Sequence, residues 1–239
     1  MTTTANSPAR TDLEFKRIDA SKPAGDQIFG SIKHAILNMD LQPGCIVSEA
    51  EIAAKFGASR TPVREAFMRL REAGLVVTYP SRGNFVSRLN KEKILEARYL
   101  REALEMANIR RLASGGLPSA SHDRLLQNLQ AQEDAAAIGD AVVFGNLDDV
   151  FHLELAEATG FPRAAQVLEK EKMVLDRLRV LSLRDKNHLG FLKDEHARIF
   201  EAICAQDLSE AVRFGELHFS SILKVLSDLE IRHSDYFDD

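Results

Sequence analysis

The sequence predicts a mainly α-helical protein in two parts. A winged helix-turn-helix, three helices plus a β-hairpin wing, is expected over residues 25–88, and an all-α antiparallel helical bundle over 91–232. Three observations predict this. Apolar residues recur at helical spacing through most of the chain. One β-rich pair of short runs interrupts them, directly after the third helical pattern. The charge is also unevenly divided: residues 1–90 carry 12 Lys+Arg against 9 Asp+Glu, net +3, whereas residues 91–239 carry 19 against 27, net −8.

Residues 1–24 are polar, contain Pro8 and Pro23 and hold no sustained period, so they are expected to form a disordered leader. Ile28, Ile32 and Ile36 then mark one face of a first helix, which ends in the turn Leu41-Gln42-Pro43-Gly44. Ser48 and Glu51 have capping-box spacing at the start of a second helix, and Gly57 is placed to end it. A third helix is expected to open with Thr61 as N-cap and Pro62 in its first position, and to carry Val63, Ala66, Phe67 and Leu70 inward as far as Gly74. The runs 75–79 and 84–87, joined by Pro80-Ser81-Arg82-Gly83, read as the hairpin. Breaks near Gly115, Gly139, Gly160, Gly190 and Gln206 divide the rest into about six helices.

Composition narrows the function. No apolar run is long enough to span a membrane, and the N-terminus has no secretory signal. Cys45 and Cys204 are isolated from each other, which fits a reducing, cytoplasmic compartment rather than a disulfide framework.

Two constellations carry chemistry. Around the third helix start, Ser59 and Thr61 hydroxyls and free backbone amides suit phosphates, while Arg60 and Arg64 are forked donors for guanine or phosphate oxygens. Arg69 and Arg71 lie further along as candidate phosphate contacts, only one of them able to share a face with Arg64, and Arg82 and Gly83 sit at the wing tip, where the minor groove or backbone is expected. In the rear half, Asp148 and His152 are four apart and face the same way on a helix. Asp149 competes with Asp148, but helical phase favours Asp148. With His196 and His218 on later helices they form a candidate set for Zn²⁺, Ni²⁺ or another divalent first-row ion.

The run PGCIVSEAEIAAKFGASRTPVREAFMRLREAGLVVTYPSRGNFV closely resembles the DNA-binding domain of the GntR family of bacterial transcription regulators. The resemblance implies DNA reading by Ser59, Arg60, Thr61, Arg64 and Gly83, with Glu49 in the preceding helix. Ala50 departs from the Arg that many members carry there, so the operator does not transfer. The pieces Arg101-Glu102-Ala103-Leu104-Glu105, Asp148 through Gly160, Glu195-His196 and Asp207 to His218 resemble the FCD-type effector domain of the FadR-like subgroup, with Phe161 where members often have Asn. That resemblance implies Asp148, His152, His196 and His218 as ligands of a divalent ion, and a small organic acid bound beside it. Arg101 is the candidate clamp on the acid's carboxylate.

The expected function is a homodimeric repressor whose affinity for a double-stranded operator is set by that acid. The competing class is a metal-dependent enzyme acting on a small carboxylate, against which stands the lack of any further acid–base motif.

Overall fold

A computed structural model describes residues 13–183 and 186–238, with the side chains of residues 186 and 187 excepted. The chain divides into two compact units. One comprises the residues up to Lys91 together with those from His233 onward, and the other is Glu92–Arg232.

The first unit contains α1 (Ala24–Leu37), α2 (Glu49–Phe56), α3 (Arg60–Glu72) and the antiparallel strands β1 (Val76–Tyr79) and β2 (Gly83–Val86). Helices α1 and α3 pack together and bury the two stripes read from the sequence, Ile28, Ile32 and Ile36 on one and Val63, Ala66, Phe67 and Leu70 on the other. At the start of α2 the Ser48 hydroxyl accepts from Glu51 N at 3.4 Å, and Gly57 closes the helix at φ +63°. The sharp link to α3 follows from that left-handed cap.

Helix α3 begins earlier than the proline suggested. Ser59, not Thr61, is its N-cap, in extended conformation, and its hydroxyl makes no capping bond. Pro62 then falls third in the helix, still within the first turn, where no N–H is required. In the hairpin, Val76 pairs with Val86 and Tyr79 with Gly83, and the turn places Ser81 at φ +62° and Gly83 at φ +100°. The segment after Pro43, expected to be only a turn, also edges this hairpin. Val86 N donates to Cys45 O at 2.8 Å, Val47 N to Asn84 O at 2.9 Å and Gly44 N to Val86 O at 2.9 Å.

Two further segments belong to this unit. Residues 1–12 of the expected leader lie outside the described residues, but the chain from Leu13 is anchored rather than free. Phe15 stacks on Phe56 with centroids 4.7 Å apart, and Lys55 Nζ donates to Leu13 O at 2.8 Å. The leader's single aromatic in this stretch has found the exposed end of α2's apolar stripe. After His233 the chain returns to the same unit through a 3-10 turn (Ser234–Tyr236). Leu89 N donates to Tyr236 O at 2.8 Å and Asp238 N to Leu89 O at 2.9 Å, and both Leu89 and Phe237 are buried.

Among the described residues the second unit contains six helices: α4 (Lys91–Gly115), α5 (Ser119–Ile138), α6 (Ala141–Ala158), α7 (Pro162–Ser182), α8 (Lys186–Cys204) and α9 (Leu208–Arg232). Helix α6 packs on α5, α7 and α8, and α8 packs on α5 and α9. Its main core joins Ile109 and Leu112 of α4, Leu125 of α5, Phe151 of α6, Ile199 and Ile203 of α8 and Phe219 of α9. The helix count matches the sequence reading, but one break does not. Gly190 lies inside α8, and α7 ends instead at Leu183. A single helical glycine costs only about 1 kcal/mol, which packing of Leu189 and Leu192 readily offsets.

The docked tail can be tested. Phe237→Ala should lower the unfolding free energy of the first unit by about 3 kcal/mol, as for a buried aromatic truncated in a core. Urea unfolding measures it, and a loss below about 0.5 kcal/mol, the size of an ordinary surface change, would mean the tail is not packed.

Candidate metal centre and nucleic-acid interface

Helix α6 places Asp148 and His152 one turn apart on its inner face, His196 comes from the middle of α8, and His218 comes from α9. All four are buried, His196 completely. The three imidazoles can each offer one nitrogen within 4.8 Å of the others. His218 Nε2 is 3.3 Å from His152 Nε2, while Asp148 Oδ1 is 3.5 Å from His196 Nε2 and 3.9 Å from His152 Nε2. Asp149, the competing neighbour, turns away. It holds Arg179 through both oxygens, at 2.6 and 3.0 Å, and Lys172 at 2.8 Å.

Each imidazole is oriented through its other nitrogen. His218 Nδ1 meets Glu195 Oε2 at 2.8 Å, and His196 Nδ1 meets Gln132 Oε1 at 2.8 Å. The Gln132 amide is itself fixed, because its Nε2 donates to Asn128 Oδ1 at 2.7 Å. His152 Nδ1 pairs with Glu105 Oε2, and the other oxygen of Glu105 accepts from Arg101 Nε. Nδ1 lies against an oxygen in all three, and with the proton on Nδ1 each Nε2 keeps a lone pair for a ligand role.

The electrostatics agree with this. Burial pushes the Glu105 carboxyl up, but Arg101 and His152 outweigh it and hold the group down at about 2. Burial likewise opposes ionisation of Asp148, and His152, Arg179 and His196 beside it bring its pKa well below the usual carboxylate range. Burial, then the neighbouring His218, keeps His196 well below its ordinary 6.5, so it stays neutral, the form a ligand requires.

The residues fit a metal ion. His196 Nε2 is buried with no hydrogen-bond partner, a costly arrangement for a polar atom that a cation resolves. The donor spacings of 3.3, 3.5 and 3.9 Å lie within the roughly 4.2 Å by which two ligands of one ion can be separated when its bonds are about 2.1 Å. Three imidazoles with one carboxylate suit a borderline first-row ion such as zinc or nickel.

Sequence reasoning missed most of the supporting shell. Glu195 adjoins a ligand in sequence but serves His218 on another helix. Gln132 carried no signal at all. Arg101, the candidate carboxylate clamp, is tied to Glu105 and also lines a cavity beside the cluster, together with Asp148, His218 and Arg179.

In the first unit, Ser59, Arg60, Thr61 and Arg64 are exposed at the start of α3, and Arg82 and Gly83 are exposed at the wing tip. Arg82 lies against the hairpin aromatics, 5.9 Å from the Tyr79 centroid and 5.8 Å from that of Phe85. Glu49 is 3.8 Å from Arg64 Nε and accepts from Asn84 Nδ2 at 3.4 Å, so one carboxylate touches both the helix and the wing. Arg69 is placed differently from the others. It pairs with Asp26 at 2.5 Å and stacks over Phe29 at 4.1 Å, which fastens α3 to α1.

A winged helix joined to a helical bundle with a buried polar centre defines a class, the two-module bacterial transcription regulator. Residues 24–86 match the family model "Bacterial regulatory proteins, gntR family", and residues 95–221 match "FCD domain". The chain is 30% identical over 221 residues to the HTH-type transcriptional repressor RspR of Escherichia coli strain K12, covering 92% of this chain and 96% of that one. Among solved structures it resembles a GntR regulator of Rhodococcus sp. RHA1, with TM-score 0.73, 23% identity and coverage of 86% of this chain and 99% of that one. It also resembles E. coli McbR/YncC, with TM-score 0.70, 20% identity and coverage of 86% and 97%. The chain belongs to the GntR family of transcription regulators, with an FCD C-terminal domain. The family and these relatives are regulators, not enzymes. No described helix is long and apolar enough to cross a membrane.

Gln132→Ala should weaken zinc binding by about 10- to 100-fold while the helical content stays unchanged. Competition with a zinc-responsive dye reads this, and an unchanged affinity would mean His196 is not held for an ion.

Proposed function

We propose that this regulator is a homodimeric repressor that binds an operator through α3 and the wing, and that a small organic acid beside a divalent ion in the FCD unit sets its affinity. The observation that carries the reading is the orientation of the cluster. Three imidazoles fixed through Nδ1 turn Nε2 inward beside Asp148 Oδ1, in a site that opens on a cavity. Asp148, His152, His196 and His218 would hold the ion, which supplies open coordination positions to a carboxylate. Arg101 is positioned on the same cavity as the second anchor, its charge shared with Glu105.

On the DNA side, Ser59, Thr61 and the first-turn amides of α3 meet phosphate, and Arg60 and Arg64 reach base edges or phosphate. Arg82 and Gly83 approach the duplex at the wing. Glu49 carries the wrong charge to contact phosphate, so its part is to aim Arg64 and the wing residue Asn84. Arg69 is held on α1 and has a structural part. Two copies reading two half-sites fit the helix-turn-helix mode, and repression is argued from the E. coli relative, a transcriptional repressor by name. The acid acts only to the extent that it binds the DNA-free and DNA-bound states with different affinity.

Fluorescence anisotropy with DNA from beside the protein's own gene tests both halves. Arg64→Ala should weaken binding by about 5- to 150-fold, corresponding to about 1–3 kcal/mol. His152→Ala/His218→Ala should bind DNA as the wild type does but stop responding to zinc or to carboxylates. If that double variant still responds, the sensing reading is wrong. If Arg64→Ala binds normally, the DNA-reading assignment is wrong.

A further inference from the structure

The cavity beside the imidazole cluster is lined by two kinds of residue. One is polar and includes Arg101, Asp148, Arg179, Lys172 and His218. The other is apolar: Leu175 and Leu178 of α7, Leu192 of α8, and Phe219, Ile222 and Val225 of α9. Together they surround about 700 Å³ of empty space, part of it open to solvent.

The polar groups on this lining are heavily engaged within the protein. Arg179 donates to Gly145 O at 2.7 Å, to Asp149 and Asp176, and to Asp148 at 3.2 Å. Lys172 pairs with Asp149 at 2.8 Å. Arg98 donates to Phe219 O at 3.2 Å and pairs with Glu102 at 2.8 Å. The two serine hydroxyls of the lining are turned back onto their own helices, Ser182 to Arg179 O at 2.8 Å and Ser221 to His218 O at 2.7 Å. The donors here are already committed, so a ligand hydroxyl gains few new partners, whereas a methylene meets a hydrophobic surface. The four cations of the lining, Arg98, Arg101, Lys172 and Arg179, are balanced by Asp148, Asp149, Asp176 and their partners Glu102 and Glu105, so it is a bound divalent ion that would turn the site toward an anion.

Resting on the sensing reading above, we propose that the effector is a small amphipathic monocarboxylate rather than a polyhydroxylated sugar acid or a dicarboxylate. Its carboxylate lies on the Asp148–His218 side with Arg101, and its hydrocarbon body, aliphatic or aryl, lies against Leu175, Leu178, Ile222 and Val225. The residues that set specificity are then those of the α7 and α9 faces, while the imidazole cluster supplies only the shared anchor for the carboxylate.

Calorimetric titration of the zinc-loaded full chain with acetate, butanoate, hexanoate, gluconate and tartrate tests this. Affinity should rise about fourfold per methylene from acetate to hexanoate, and hexanoate should bind more tightly than gluconate or tartrate. Ile222→Ser, at a half-buried position, should weaken hexanoate about tenfold and leave acetate within about twofold, and the near-isosteric Val225→Thr should show the same contrast on a smaller scale. A flat series, tighter binding of gluconate or tartrate, or equal losses for acetate and hexanoate in the variants would overturn the ligand class and leave the sensing reading intact. Failure to take up zinc together with silence toward all five acids would overturn both.

Discussion

A polar cluster buried in the middle of a helical bundle is costly unless its atoms are satisfied, and the second unit is built around that constraint. Asp148, His152, His196 and His218 sit next to Phe151 and Phe219, with His196 stacked on Phe151 at 4.4 Å. Desolvation of such groups costs several kcal/mol apiece when nothing compensates it. Each imidazole therefore has its own oxygen partner, and each partner comes from a different place: Glu105 from α4, Gln132 from α5, Glu195 from α8. The centre fixes the relative placement of five helices, because moving any one misdirects a nitrogen.

The acidic residues around the centre are kept apart by a cation. Asp148, Asp149 and Asp176 crowd one corner, and Arg179 reaches all three, which holds its own pKa above the ordinary arginine value despite burial. That division leaves Asp148 Oδ1 free to face the imidazoles while Oδ2 is turned to Arg179. In the first unit Glu49 has a comparable role at the surface, where one carboxylate between Arg64 and Asn84 couples the recognition helix to the wing. The ion pair there is exposed and weak, so its value lies in direction rather than in stability. After α9 the chain runs into the 3-10 turn and the tail that pairs with Leu89 inside the first unit.

Local patterns made much of this legible. The Ile28–Ile32–Ile36 stripe, the Ser48 cap and the Gly57 stop depend on neighbours within one turn, and the sequence displays them directly. The choice of Asp148 over Asp149 followed from helical phase alone. What escaped was what depends on packing between distant elements. The Arg101–Glu105 spacing is legible as a helix pair, but the reach of Glu105 to His152, of Gln132 to His196 and of Arg179 to Asp148 and Asp149 is not, because those partners lie on other helices. The edge formed by Cys45 and Val47, the seat of Phe15 on Phe56 and the return of Phe237 to Leu89 are likewise tertiary events. Two misplacements came from overweighting single residues. Pro62 suggested a later start to α3 than Ser59 provides, and Gly190 suggested a break that its neighbours Leu189 and Leu192 override.

The central claim is that the inward-facing nitrogens exist to hold an ion. Elemental analysis of the untagged protein, purified without chelators, measures it directly. One divalent first-row ion per chain in the wild type, absent from a His152→Ala/His196→Ala variant of unchanged helical content, is the result this account predicts. A wild-type protein that carries no such ion and takes none up from excess zinc or nickel would contradict it.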